Sequence, residues 1–224
     1  MTHLDHITVT THTLDHGVAW VRDVLGVSPQ AGGTHPRMGT HNCLLRLGES
    51  LFLEVIAPDP AAPKPARPRW FGLDALTPPS LPALSTWVVR SSDIAQSAAA
   101  ASEPLGPIEP MSRGALNWLI TIPADGRVPL DGVAPALIEW HTPAHPAHGL
   151  PDQGLSLARL DIHHPDPTRV TRLLQSLALQ APVSVQACSA GTAPHLVAHI
   201  DTAQGRRVLD TAHTDRPLNS SHRR

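Results

Sequence analysis

The chain of 224 residues contains no tyrosine, only two phenylalanines and only two cysteines. Two thiols cannot build a disulfide framework or a four-thiolate metal site. Cys43 and Cys188 also lie far apart on apolar segments, so they read as buried free thiols. Charge is sparse as well: Asp, Glu, Lys and Arg make up 16% of the chain, against about 25% in an average globular protein. The formal net charge of −2 predicts neither a nucleic-acid footprint nor attraction to anionic lipid. No apolar run approaches the roughly 20 residues needed to span a bilayer. The strand pattern beginning at His3 has no basic stretch and apolar run before it, so the expectation is a cytoplasmic chain without a secretory signal. A Gly-rich phosphate loop, a Ser-His-Asp order and a paired-cysteine motif are all missing. Cys43 has no cationic neighbour in sequence to activate it as a nucleophile. Small-molecule chemistry is the class that survives these exclusions.

What is present is an ordinary hydrophobic fraction of 41%, together with 24 prolines and 15 histidines. The length allows a real core in one large domain or two small ones. Proline and histidine at these levels look like a compositional habit, so each histidine has to be argued separately.

Internal repetition organises the chain. Leu4-Asp5-His6-Ile7-Thr8-Val9 opens a first copy and Leu53-Glu54-Val55-Ile56-Ala57-Pro58 closes it; Leu84-Ser85-Thr86-Trp87-Val88-Val89 and Ile138-Glu139-Trp140-His141-Thr142-Pro143 do the same for a second. A third copy, Leu157 to Thr211, keeps the rhythm but has Leu209 where the glutamates stood. Period-2 alternation marks the opening strands. Val18, Val21, Val24 and Leu25 give the first helix an apolar face, and Ser92 or Asp93, then Asp166, offer caps for the later helices. Gly32 to Asn42 is too rich in Gly and Pro for a central strand and reads as an edge strand or a loop. The resulting organisation is a first βαβββ module over 1–58, a linker over 59–83, a second module over 84–146, a third, degenerate module over 155–211, and a flexible tail over 214–224. Trp70 and Phe71 pin down the proline-dense linker; a lid over the site is the sharper alternative.

Two β-α-β-β-β units in tandem, with a histidine on an opening strand and a glutamate on a closing strand, resemble the vicinal oxygen chelate superfamily. Asp5-His6-Ile7, the loop Gly33-Thr34-His35-Pro36-Arg37-Met38-Gly39-Thr40-His41-Asn42, the strand Phe52 to Pro58 and the segment Ile138 to Pro146 are similar to its glyoxalase-like domain subfamily. The resemblance implies an α+β fold in which two modules pair into an open, barrel-like sheet with the site in its concavity. It also implies metal ligands at His6, Glu54 and Glu139, with Thr86 where fuller members carry a further ligand. One imidazole and two carboxylates suit Zn, Mn, Fe or Ni, with water or substrate in the open positions.

The expected function is therefore a metal-assisted lyase or isomerase acting on a small, oxygen-rich substrate, with Glu139, Glu54 and His41 as catalytic groups. His35, Arg37, Asn42, Thr86 and His145 are the candidates for substrate contact, Arg37 because its planar fork suits a carboxylate. Alternation along the strand puts Glu139 on the face opposite Ile138 and Trp140, so its role depends on which face is the lumen. Metal-free sequestration of a small molecule and ring-cleaving dioxygenation are the alternatives. His163-His164 reads as a strand-end cap, and His195 and His199 read as structural because no carboxylate aligns with them. The unpaired third unit makes a homodimer the expected way to cover its edge.

Overall fold

Alternating apolar residues set the strands, and the faces they choose define two cores. The computed structural model describes residues 1–142 and 144–211; the tail expected over 214–224 lies outside them. β1 (Thr2–Thr10), α1 (Leu14–Leu25), β2 (Gln30–His35), β3 (Thr40–Gly48) and β4 (Leu51–Pro58) come first. A 3-10 segment, Trp70–Ala75, interrupts the connection to β5 (Ala83–Arg90), α2 (Ile94–Ala100), β6 (Ile108–Arg113), β7 (Leu116–Thr121), the one-turn α3 (Pro129–Gly132) and β8 (Ala136–Trp140). A second 3-10 turn, Pro146–Gly149, leads to β9 (Ser156–His164), α4 (Pro167–Ser176), β10 (Leu179–Gln180), β11 (Val183–Ala187), β12 (His195–Thr202) and β13 (Gly205–Asp210).

Eight strands run in the order β2-β3-β4-β1-β5-β8-β7-β6, with short β10 added parallel to β1 at Thr2 and His3. The sheet curls into a nearly closed barrel, and the fold is α+β as the sequence leads one to expect. Its two ends meet through side chains: Arg37 donates to the Pro110 carbonyl at 2.8 Å and pairs with Glu109, and Arg113 donates to Asn42 Oδ1 at 3.0 Å. Arg37 thus lies at the seam, engaged with Pro110 and Glu109. The remaining strands form a separate sheet, β11-β9-β12-β13.

Ile7, Val9, Leu53, Val55, Trp87 and Val89 face outward into a core shared with α1, α2, α4 and the second sheet. Met38, Ile56, Trp70, Val88, Trp118, Ile120 and Ile138 fill the inside of the barrel. The Gly- and Pro-rich segment supplies β2 at the sheet edge and the turn before β3, as edge residues should. β6 and β10 have no counterpart in the sequence reading; Glu109, Pro110 and Ser112 give β6 no clean alternation. Cys43 and Cys188 are free and half-exposed rather than buried. His163 stacks on His195 with ring centroids 4.3 Å apart, and His199 Nε2 lies 2.8 Å from Asp161 Oδ2, so a carboxylate does align with one of these histidines.

The linker is held to the barrel at Gly126. Its φ is 72°, and a Cβ there would stand 2.1 Å from the Arg69 carbonyl oxygen, next to Trp70. Gly126→Ala should therefore lose about 2 kcal/mol or more from the left-handed backbone and the clash combined. Urea denaturation showing wild-type stability in this variant would contradict the packing described.

Candidate active site

A bulge in β1 creates the site. The pairing with β5 slips between Leu4 and His6, so that Leu4↔Val89 is followed directly by His6↔Val88 and Asp5 is the extra residue. Bulges re-aim side chains. Leu4 joins the outer core, while His6 and Thr8 face the barrel interior and Asp5 turns to the same side as His6.

Asp5 is completely buried. His6 Nδ1 lies 2.7 Å from Oδ1, and Trp140 Nε1 and His145 Nε2 each lie 2.9 Å from Oδ2. Arg90 stands 3.8 Å away. Burial pushes the Asp5 carboxyl up, but the hydrogen bonds from His145 and His6 outweigh it and hold the group well below the usual carboxylate range. An ionised carboxylate only accepts, so His6 donates from Nδ1 and His145 from Nε2. The second assignment agrees with the Ala147 N–H, which donates to His145 Nδ1 at 3.2 Å. With Nδ1 donating to Asp5, His6 turns Nε2 to the interior, 3.7 Å from Glu54 Oε2. Phe52 stacks on its ring at a centroid distance of 4.5 Å.

Glu54 is also buried, and accepts from Asn42 Nδ2 at 2.5 Å and from Thr8 Oγ1 at 3.4 Å. Asn42 Oδ1 in turn accepts from Gly33 N and Arg113. His35, beside Trp70 and Trp118, contacts Thr40 Oγ1 through Nδ1 at 3.0 Å. Burial pushes its imidazole down from the ordinary 6.5 to about 4, with Arg113 adding to the effect against the pull of Glu54. His35 is therefore neutral at neutral pH.

These groups line a cavity of about 30 Å³ with Phe52, Trp70, Phe71, Trp118, Ile138 and Trp140, room for about two waters. Trp70 and Phe71 close one side, and Phe71 holds a left-handed φ of 59° that is unfavourable for an aromatic residue. Within this segment the indole N–H of Trp70 is buried without a partner among the described residues.

Of the residues singled out from sequence, His6, His35, Asn42 and Glu54 come together here. His145 stands behind them, holding Asp5. Thr86 lines a neighbouring void with Trp70 and Phe71, its hydroxyl buried and without a partner among the described residues. Three others do not reach the hollow. Glu139 faces outward, where it accepts from Ile94 N at 2.7 Å at the start of α2 and contacts His141 at 2.8 Å; alternation gives the lumen to Ile138 and Trp140. His41 lies on the outer face of β3 and lines a separate groove of about 520 Å³ with His12, Leu14 and Arg69. Arg37 closes the seam. Asp5 and Arg113 are site residues that sequence reasoning missed. The three-residue spacing of Leu4 and Ile7, both packed in the outer core, was the available sign of a bulge at Asp5.

A model of the family described as a glyoxalase-like domain matches residues 4–178. The chain belongs to this family. No curated protein matches it. Among solved structures, a hypothetical protein from Staphylococcus aureus is similar in fold, with a TM-score of 0.60 and 12% identity over 86% of this chain and 88% of that one. Methylmalonyl-CoA epimerase from Streptomyces coelicolor aligns at a TM-score of 0.40 and 15% identity, over 62% of this chain and 97% of that one. A variant of 4-hydroxymandelate synthase from the same organism gives 0.43 and 15%, over 93% and 62%. No helix among the described residues is long and apolar enough to cross a membrane.

The expected divalent ion needs three or more protein ligands or a comparable oxygen cage. His6, His35 and Glu54 line the hollow, but Glu139 is turned away, Thr86 lines a neighbouring void, and a guanidinium lies alongside. Among the described residues no group of three His, Cys, Asp or Glu side chains is placed to hold a metal. As placed beside Arg113, these side chains do not form a Zn, Mn, Fe or Ni site.

Asp5→Asn should cost about 2 to 4 kcal/mol, because an amide cannot accept from all three neighbours and its own NH₂ meets donors. Unchanged stability in urea would refute the assignment of His6 and His145 as donors. For His35, the unfolded chain takes up a proton below about pH 6.5 that the folded chain refuses until about pH 4. Stability therefore falls as pH drops through that window, by about 3 kcal/mol from this residue. His35→Asn should flatten the loss between pH 7 and 4.5; an equal loss in both proteins would be the contrary result.

Proposed function

We propose that this glyoxalase-like protein is a metal-free isomerase or lyase that moves a proton at carbon next to a carbonyl group in a small, oxygen-rich substrate. One observation carries the reading: His6 lies with Nδ1 2.7 Å from Asp5 Oδ1 and Nε2 turned into the interior beside Glu54, so that Nε2 is the atom free to take a proton. A base held in one orientation and one tautomer is the requirement for general-base catalysis.

His6 Nε2 takes the proton, and the electron pair of the broken C–H bond moves to form an enolate. Neutral His35 supports the negative oxygen. With the Thr40 hydroxyl donating to its Nδ1, it carries its proton on Nε2 and donates a hydrogen bond to the oxyanion without being a charged acid. Returning the proton to another face or another carbon completes an isomerisation; expelling a group from the enolate completes a lyase reaction. Phe52 against His6 and the tryptophans around the hollow exclude water, which strengthens each of these interactions. A substrate enters by displacing Trp70 and Phe71, since the cavity they close holds only about two waters. The aromatic walls also favour a second reading, binding of a small molecule without turnover.

The test is deuterium uptake from D₂O into small ketones, aldehydes and oxo acids, followed by proton NMR. The native protein should accelerate exchange beside the carbonyl in at least one of them. His6→Ala should lose about 10²- to 10⁴-fold of that acceleration, while outward-facing Glu139→Gln keeps it. Exchange no faster than in buffer, or unaffected by loss of His6, overturns the proposal; tight binding without exchange supports the second reading.

A further inference from the structure

We propose that Arg113 selects the substrate, and that the substrate class is the small 2-oxo monocarboxylic acids, with the carboxylate on Arg113 and the carbon beyond the ketone presented to His6. This inference rests on the proton-transfer reading above and names its substrate.

Arg113 ends β6 and reaches across the barrel seam. Its place is built into the sequence: a Cβ on Gly33 would stand 2.8 Å from Arg113 Cδ, and one on Gly32 would stand 2.2 Å from Asn42 Oδ1. Two consecutive glycines thus leave the space through which the arginine stem and the Asn42 amide enter the hollow. The guanidinium has five N–H donors. One bond, to Asn42 Oδ1 at 3.0 Å, is made. Among the described residues no carboxylate forms an ion pair with it; Glu54 is near enough to act through its charge, but its oxygens accept from Asn42 and Thr8.

A half-buried guanidinium with one hydrogen bond and no direct ion pair leaves most of its donors unsatisfied, and here it lines the cavity that holds the base. A planar fork in this position matches a carboxylate. Phe52, Ile120, Ile138 and Trp140 give the same cavity an apolar wall suited to a short hydrocarbon chain. An acid with a ketone beside its carboxylate satisfies all three demands: an anion for Arg113, a hydrogen on carbon made acidic by the ketone, and a small apolar remainder. In the reaction, the C3–H bond breaks, its proton goes to His6 Nε2, and its electron pair forms the C2–C3 double bond of the enolate. Reprotonation at C3 by solvent-derived deuterium restores the ketone without any change in oxidation state.

The experiment compares 2-oxobutanoate with 2-oxobutanamide by calorimetry, and deuterium exchange at C3 of the acid by NMR, in wild type, Arg113→Gln and Arg113→Lys. Wild type should bind the acid at least about tenfold more tightly than the amide, as a charge-assisted pair requires. Arg113→Gln should erase that preference, and Arg113→Lys should keep part of it. Equal affinities for acid and amide in wild type, or no binding of either, overturn the assignment even where Arg113→Gln fails to fold. An Arg113-dependent preference without exchange upholds Arg113 as the selector and removes the proton-transfer reading. Exchange with no preference for the acid removes Arg113 and leaves that reading intact.

Discussion

A single buried carboxylate organises this site. Asp5 carries its charge in full burial, where desolvation works against ionisation, and it remains ionised because three donors from different parts of the chain converge on it. His6 belongs to its own strand, Trp140 to the last strand of the second module, and His145 to the turn that follows. The cost of hiding the charge ties the two halves of the barrel together. Because a carboxylate offers only acceptors, the same arrangement fixes which nitrogen of His6 holds the proton. Stability and chemistry here come from one set of hydrogen bonds.

The barrel separates two kinds of interior. Outside the sheet, aliphatic side chains pack against helices and the second sheet; inside it, His6, Glu54, Asn42, His35 and Arg113 line a small hollow among aromatic rings. In this interior the carboxylate of Glu54 is held by hydrogen bonds, while the guanidinium and the Trp70 indole still have donors to spare. Surplus donors in a confined, aromatic-walled space favour an anionic, oxygen-bearing ligand over a bare cation.

Much of the architecture was legible in the chain because it rests on local rules. Period-2 runs place β1, β4, β5, β7, β8 and β9, and apolar faces and acidic caps place α1, α2 and α4. The concentration of His35, Asn42, Glu54 and His6 was also visible through the repeat and the family resemblance. Glu139 shows where that reasoning stops. Its position in the repeat matches Glu54, but its strand turns Ile138 and Trp140 inward, and the carboxylate instead caps α2. His41 and Arg37 sit in the same polar segment as Asn42, yet one faces outward and the other closes the seam.

By itself, the sequence determined the βαβββ rhythm, the α+β class and the segments that carry the site, since all follow from spacing along one strand or helix. Only the tertiary structure decided which polar residues meet. A one-residue bulge turned Asp5 to the side of His6, because a slip in register reverses every face beyond it. Closure of the barrel brought Arg113 from β6 to Asn42 on β3, strands distant in sequence whose encounter depends on the curvature of the whole sheet.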